Sequence, residues 1–260
     1  FIKWILDTQG IRNGSPWLAL IWFCGTVPVT LLLLRAFPQP YGWLPDGARA
    51  APGEIANISG TPLAEAVRSR FYKAVTFGYI FALGAQVGGA LQLVKLVEER
   101  TDRSTATLAT IVLSTMSILS RFAAGRIIPK INMTRFTVGL AGLQGISLAS
   151  LGLINNRIGL LIAIGLFGVT IGNMVMMQSL LLAERFGVRD YPKIAARSGL
   201  ISFSGTALGP LLLGWLYDVA GGYRSSYLAA GACSIIGAIL FSFAGSASVA
   251  STEVASAQSQ

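Results

Sequence analysis

Arg121 stands inside an apolar stretch, Ala106 to Ile128, that is long enough to cross a bilayer. It closes a run of small polar residues at Thr107, Thr110, Ser114 and Ser117. The steps are three and four, so all five fall on one face of a helix. A guanidinium at membrane depth costs roughly 2.5–3.5 kcal/mol on insertion scales. That cost is tolerated where the charge meets a wet cavity or a partner, and no acidic residue lies in the same stretch. A bound anion is the partner this pattern implies, which points to transport of an anionic solute. The competing reading has Arg121 snorkel toward the interface near Gly125 and Arg126. The aligned Ser/Thr stripe favours binding, since a snorkelling arginine needs no polar residues along its face.

Other apolar stretches carry candidate contacts of the same kind. Tyr79 and Gln86 are seven apart and share a face with Ala82, Gly89 and Ala90. Thr170, Asn173 and Met177 share another, and Ser198, Ser202, Gly205, Thr206 and Gly209 a third. The candidate solute-binding set is therefore Arg121, Ser117, Ser114, Tyr79, Gln86, Asn173, Ser202 and Thr206. The bland counterpart for each is a hydrogen bond between helices, worth about 0.6 kcal/mol on average. Gln144 is expected to be structural. Arg126, Lys130 and Arg135 fall at helix ends, where they would fix topology and gate one side of the membrane. Asp218 and Arg224 read as a local salt bridge or helix cap. The chain has no histidine, and no nucleophile–base pair, phosphate loop or metal-ligand cluster stands out. Neither an enzyme nor a cofactor or metal is expected.

The elements that must hold these residues are membrane helices. The chain of 260 residues is 53% hydrophobic and 12% charged, against about a quarter charged in soluble domains. About seven spans are expected: Trp17–Leu34, Lys73–Leu96, Ala106–Ile128, Phe136–Ile154, Ile158–Ala183, Ala196–Tyr217 and Ser225–Ala244. The expected fold is an all-α, multi-pass membrane protein. An amphipathic helix should open at Thr61-Pro62 and run into the second span through Phe71 and Tyr72. Cys24 and Cys233 lie in apolar stretches and imply no disulfide. Gly84–Gly88, Gly168–Gly172 and Gly205–Gly209 are small-residue pairs that permit close helix crossings. Gly209-Pro210 is expected to kink its span.

The formal charge of +9 does not mark a nucleic-acid surface, because the basic residues sit in short loops between apolar spans. They alternate from loop to loop. Arg35, Arg49, Arg68, Arg70 and Lys73 follow the first span, Arg126, Lys130 and Arg135 the third, and Arg185, Arg189, Lys193 and Arg197 the fifth. The intervening turns are poorer or carry acids. The positive-inside rule then places the long loop and the C-terminus in the cytoplasm, in a plasma (inner) membrane. The Ser/Ala-rich tail 246–260 is expected to be disordered.

Three passages carry a family resemblance. Arg35-Ala-Phe-Pro-Gln-Pro-Tyr-Gly-Trp-Leu-Pro is the first, and Ser120-Arg121-Phe-Ala-Ala-Gly125-Arg126 with Ile-Ile-Pro-Lys130 the second. The third is Gly209-Pro210-Leu-Leu-Leu-Gly214-Trp-Leu-Tyr217-Asp218-Val-Ala-Gly221-Gly222-Tyr223. Together they resemble the C-terminal half of the major facilitator superfamily, and within it the monocarboxylate and oxalate–formate branch. The resemblance implies that residues 1–35 end an N-terminal bundle, 36–72 form a cytoplasmic central loop, and 73–245 form a C-terminal six-helix bundle. It implies a missing N-terminal half of the same carrier, in keeping with a chain that starts on Phe1. It also implies alternating access by a small organic anion, with Arg121 matching the carboxylate-binding arginine of the eighth helix. Two departures matter. Ser117 stands where animal carriers have an aspartate, so proton coupling of the animal kind is not expected, and Ala196–Tyr217 lacks the lysine of the oxalate carrier, so a two-cation clamp for a dicarboxylate is not expected from these residues. Proton symport would need an acid in the missing half or protonation of the substrate itself, and anion exchange needs neither. The alternatives are a non-transporting membrane sensor or interaction subunit made from a truncated transporter, and a half-transporter that dimerises.

Overall fold

The computed structural model describes residues 2–33 and 60–247. Among these it is almost wholly helical, with an isolated bridge between Gly60 and Gly187 and no strand. The Pro-rich passage from Arg35 and the tail from 248 lie outside the described residues, as do the loop charges Arg35 and Arg49. The chain divides into two units, Phe1–Asn57 and Ile58–Gln260. The first holds α1 (Ile2–Leu33), broken at Gly10 (φ 70, ψ 169) and containing Pro16 and Pro28. Its apolar part is Ala19–Leu32, shorter than the six long apolar helices of the second unit.

The second unit holds α2 (Leu63–Arg68), α3 (Arg70–Arg100), α4 (Arg103–Ile127), α5 (Met133–Leu153), α6 (Arg157–Phe186), α7 (Tyr191–Ala220) and α8 (Tyr223–Ser242). A short 3₁₀ turn, Ile128–Lys130, follows α4. Six of these helices, α3 to α8, are long and apolar enough to cross a membrane. Each coincides with one of the last six expected spans, with α4, α5 and α8 ending one or two residues before the expected limit, so of the seven expected six reach spanning length and the first falls on the shorter apolar part of α1.

Small polar residues set where the helices begin. Ser69 Oγ accepts from Tyr72 N at 3.1 Å, Asp102 Oδ1 from Thr105 N at 2.7 Å, Asn132 Oδ1 from Arg135 N at 3.0 Å and Asn156 Oδ1 from Gly159 N at 2.7 Å. Each satisfies an amide that has no partner in the first helical turn. Ser69 also corrects an expectation. Its extended backbone (φ −64, ψ 147) separates α2 from α3, so the amphipathic helix stops before Phe71. At the far end of α7, Gly221 takes the left-handed conformation (φ 68, ψ 32), and the Gly222 amide donates to Tyr217 O at 3.1 Å. Glycine adopts that conformation without a Cβ penalty. Pro210 lies inside α7, which stays one helix from Tyr191 to Ala220.

Glycines bring the helices to backbone contact. A Cβ on Gly209 would sit 2.1 Å from Gly84 O, and one on Gly205 2.0 Å from Ile80 O. Thus α3 and α7 cross through Gly84, Gly88, Gly205 and Gly209. Gly168 and Gly172 do the same for α6 against α4, where a Cβ would meet Leu113 O at 2.6 Å and Ser117 O at 2.4 Å. Gly145 and Gly231 join α5 to α8. In lipid, where tails are as apolar as Leu, such close packing is a main source of helix association.

Two apolar clusters fill the bundle. One contains Val75, Tyr79, Met174, Leu181 and Phe241, the other Leu93, Leu148, Leu160, Phe167 and Tyr227. Gln144, Thr170 and Ser234 fall between the clusters along α5, α6 and α8. Gln144 Nε2 donates to Ala82 O at 2.8 Å and to Ser234 Oγ at 3.0 Å, tying three helices together. Gln144 is structural, as the sequence indicates.

Candidate functional site

The α4–α6 crossing positions Arg121. Because Gly172 has no side chain, α4 lies against the α6 backbone, and the Arg121 Nε donates to Gly172 O at 2.8 Å. No other hydrogen bond or ion pair to the Arg121 guanidinium occurs among the described residues. Its terminal nitrogens are thus held in one orientation with their donors unspent, on an exposed side chain. A guanidinium fork of this kind matches a carboxylate in paired, charge-assisted hydrogen bonds.

The stripe above Arg121 is on the same open side of α4. Thr107, Thr110 and Ser114 are exposed and Ser117 is half-buried. Thr107 and Thr110 spend their hydroxyl protons on Arg103 O and Ala106 O of their own helix, which leaves lone pairs outward. Ser120 turns toward α6, where its Oγ donates to Val169 O at 3.1 Å and accepts from Asn173 Nδ2 at 3.1 Å. Asn173 is buried, and its Oδ1 has no partner. Ser120 and Asn173 border a cavity of about 620 Å³ between α4, α5 and α6, whose other walls are almost all apolar.

The remaining candidates are not gathered here. Tyr79 is fully buried, its hydroxyl donates to Met174 O at 3.0 Å and its ring packs 4.8 Å from that of Phe241. It is a core residue joining α3, α6 and α8, and the expected cavity wall at this position is corrected. Ser202 is likewise interior. It accepts from Gln178 Nε2 at 2.9 Å and donates to Thr76 O at 3.2 Å, beside a Thr76–Ser198 hydroxyl pair at 2.8 Å. That network binds α3, α6 and α7 where lipid supplies no alternative partner. Thr206 is half-buried and donates to Phe203 O of its own helix at 2.7 Å. Gln86 is buried with its Oε1 unpartnered. Helical periodicity had placed these residues on polar faces correctly; which faces turn inward depends on the neighbouring helices.

One end of the bundle is strongly basic. Arg126, Lys130 and Arg135 are exposed where α4 meets α5, and Arg185, Arg189 and Lys193 surround the α6–α7 turn. The segment before α2 is stapled to that turn. Thr61 N donates to Phe186 O at 2.8 Å, and Leu63 N to Asp190 Oδ2 at 3.1 Å. Gly187 (φ 68, ψ −167), bridged to Gly60, takes a backbone conformation open essentially to glycine alone. The Leu63 amide, then Lys193, hold the Asp190 carboxyl below the usual carboxylate range. Lys193–Asp190, at 3.1 Å, is the sole ion pair among the described residues, so of the two readings of Asp218 and Arg224, salt bridge or helix cap, the salt bridge does not form.

Sequence reasoning missed Arg100. It reads as a loop charge, yet Nη1 donates to Leu151 O and Ile154 O and Nη2 to Gly152 O. It caps the C-terminus of α5 with a cation where carbonyls lack helical partners. Its position just past an apolar span, opposite an uncapped helix end, was the only available signal. No protein-family model matches the chain, and no curated protein matches it.

Proposed function

We propose that the protein is a secondary transporter of a small organic anion, of the monocarboxylate class, working by alternating access. One observation carries this reading. Arg121 lies within a span that has no acid, is oriented by Gly172 O, and keeps its terminal donors free. Six helices of spanning length and a polar stripe leading along α4 to that guanidinium support it. In this mechanism the carboxylate takes paired hydrogen bonds from Arg121. Ser117 and Ser114 offer hydroxyls along the route, and Asn173 steadies Ser120 and the α4–α6 seam behind it. Tyr79 and Ser202 act structurally, through packing and hydrogen bonds between helices.

The resemblance to the major facilitator superfamily supplies the rest of the proposal: a second, N-terminal bundle completes the cavity, and the two rock about the site. The positive-inside rule puts the basic end, with Arg126, Lys130 and Arg135, in the cytoplasm. No carboxylate within α3 to α8 lies deep enough to carry a proton, which favours exchange of one anion for another. The experiment is uptake of radiolabelled formate, acetate, lactate and oxalate into cells expressing the full-length protein, with and without anion preloaded on the opposite side. Saturable uptake stimulated by preloading supports the reading. Uptake of none of them, with the protein present in the membrane, overturns it.

A further inference from the structure

A second basic residue, Arg135, stands between two cavities, one almost wholly apolar and one with several polar groups in its walls. On one side is the 620 Å³ cavity bounded by Met116, Ile127, Phe136 and Leu143. On the other is a cavity of about 410 Å³ with Asn132, Thr134 and Ser242 in its walls. Arg135 borders both. The apolar cavity runs beside helices of spanning length, and hydrocarbon rather than water is the natural filling for such walls. The smaller one sets the polar groups of Asn132, Thr134 and Ser242 into a lining that is otherwise largely apolar, and sits at the first turn of α5, where helix amides favour an anion. Thr134 adds an independent sign: it is 6% exposed, and its Oγ1 has no hydrogen-bond partner.

Charge is complementary to one class of occupant. The Arg135 guanidinium has no hydrogen bond or ion pair among the described residues, Arg126 stands in the last turn of α4 and Lys130 in the 3₁₀ turn that follows it, and no acid occurs from Arg121 to Asn156. A zwitterionic headgroup would bring its own cation against these three. An anionic one would not.

The geometry points to a bound anionic glycerophospholipid, with one acyl chain in the α4–α5–α6 cavity and its phosphate between Arg135 and Thr134. The lipid would fill space that the helices leave open and hold α4, with Arg121 on it, against α5. This site is separate from the proposed anion route on the other side of α4 and rests on the membrane location alone.

The test is native mass spectrometry of the purified full-length protein titrated with phosphatidylglycerol or with phosphatidylcholine of identical acyl chains. The expected result is preferential retention of phosphatidylglycerol. Arg135→Gln should lower that preference about fivefold, the typical weight of one basic residue beside anionic lipid. Arg135→Lys should keep most of it, and Arg157→Gln at the opposite end should leave it unchanged. Gly139 borders the apolar cavity and has nothing within 4 Å of its Cβ position. Gly139→Leu should therefore fill the cavity and displace the lipid while the protein remains folded by circular dichroism. Equal retention of the two lipids by the wild type overturns the proposal. So does undiminished preference in Arg135→Gln, or lipid retention by a folded Gly139→Leu. Displacement of the lipid by millimolar lactate would assign the cavity to the solute and overturn it as well.

Discussion

Replacing Gly209 with alanine puts a methyl carbon 2.1 Å from Gly84 O. Ordinary contact begins at 3.4 Å, so α3 and α7 would have to part by about 1.3 Å at this crossing. The obstacle is a backbone oxygen, which no rotamer change can move. A gap of 0.5–1 Å already forfeits about a quarter to a half of the dispersion energy of each contact, and here it spreads over the whole four-glycine seam. Overpacking of this kind costs about 1–3 kcal/mol. Alanine recovers about 1 kcal/mol of helix propensity. Because the obstructing backbone cannot yield, the steric cost falls in the upper part of that range, about 2–3 kcal/mol, which leaves a net loss of about 1–2 kcal/mol. Gly139→Ala is the control: its Cβ meets nothing within 4 Å, so only the propensity gain remains. The assay is thermal unfolding in one detergent, followed by fluorescence-detected size exclusion. Gly209→Ala should lower the midpoint by about 2–8 °C and Gly139→Ala should hold or raise it. A Gly209→Ala protein as stable as wild type would refute the close crossing.

Removing the Arg100 side chain with Arg100→Ala leaves three carbonyls at the end of α5 without their cation, and should destabilise by about 2 kcal/mol in the same unfolding assay. Arg100→Lys should recover part of that, since one ammonium cannot span three carbonyls. Asp102 provides a pH prediction. Hydrogen bonds from Ser104, then from the Thr105 amide and hydroxyl, lower its carboxyl to about 2. A folded value below the unfolded one of about 3.9 means the cap's stabilisation is full above that value and is lost as pH falls toward 2. Protection of the Thr105 amide from hydrogen exchange, taken relative to its intrinsic rate at each pH, should therefore fall between about pH 4 and 2 in wild type, and be insensitive to that range in Asp102→Asn.

Much of the bundle was legible in the sequence because apolar runs of spanning length and capping residues leave local marks. Asp102, Asn132 and Asn156 each stand just before an apolar run, and each caps a helix. The paired glycines gave the crossings for a similar reason, since only a missing side chain allows backbone contact. What the sequence could not supply were contacts made across the chain. Asp190 caps α2 from 127 residues away, and Arg100 reaches α5 across 51 or more. Tyr79 and Ser202 lie on the polar faces that periodicity assigned them. Those faces meet other helices, which a pattern along one helix cannot reveal. Arg121 was readable as anomalous because a charge in an acid-free span is costly wherever it points. Its tether to Gly172 O was not, because it depends on how closely α4 approaches α6.

The proposed role of Arg121 as the carboxylate's binding partner is tested most directly by saturable uptake of a radiolabelled carboxylate by wild type, Arg121→Ala and Arg121→Lys at matched membrane abundance. If Arg121 binds the anion, Arg121→Ala should show no saturable uptake, and Arg121→Lys a raised KM with residual transport, because its ammonium keeps the charge without the paired geometry. Unaltered kinetics in Arg121→Ala would contradict it and leave Arg121 as a clip between α4 and α6.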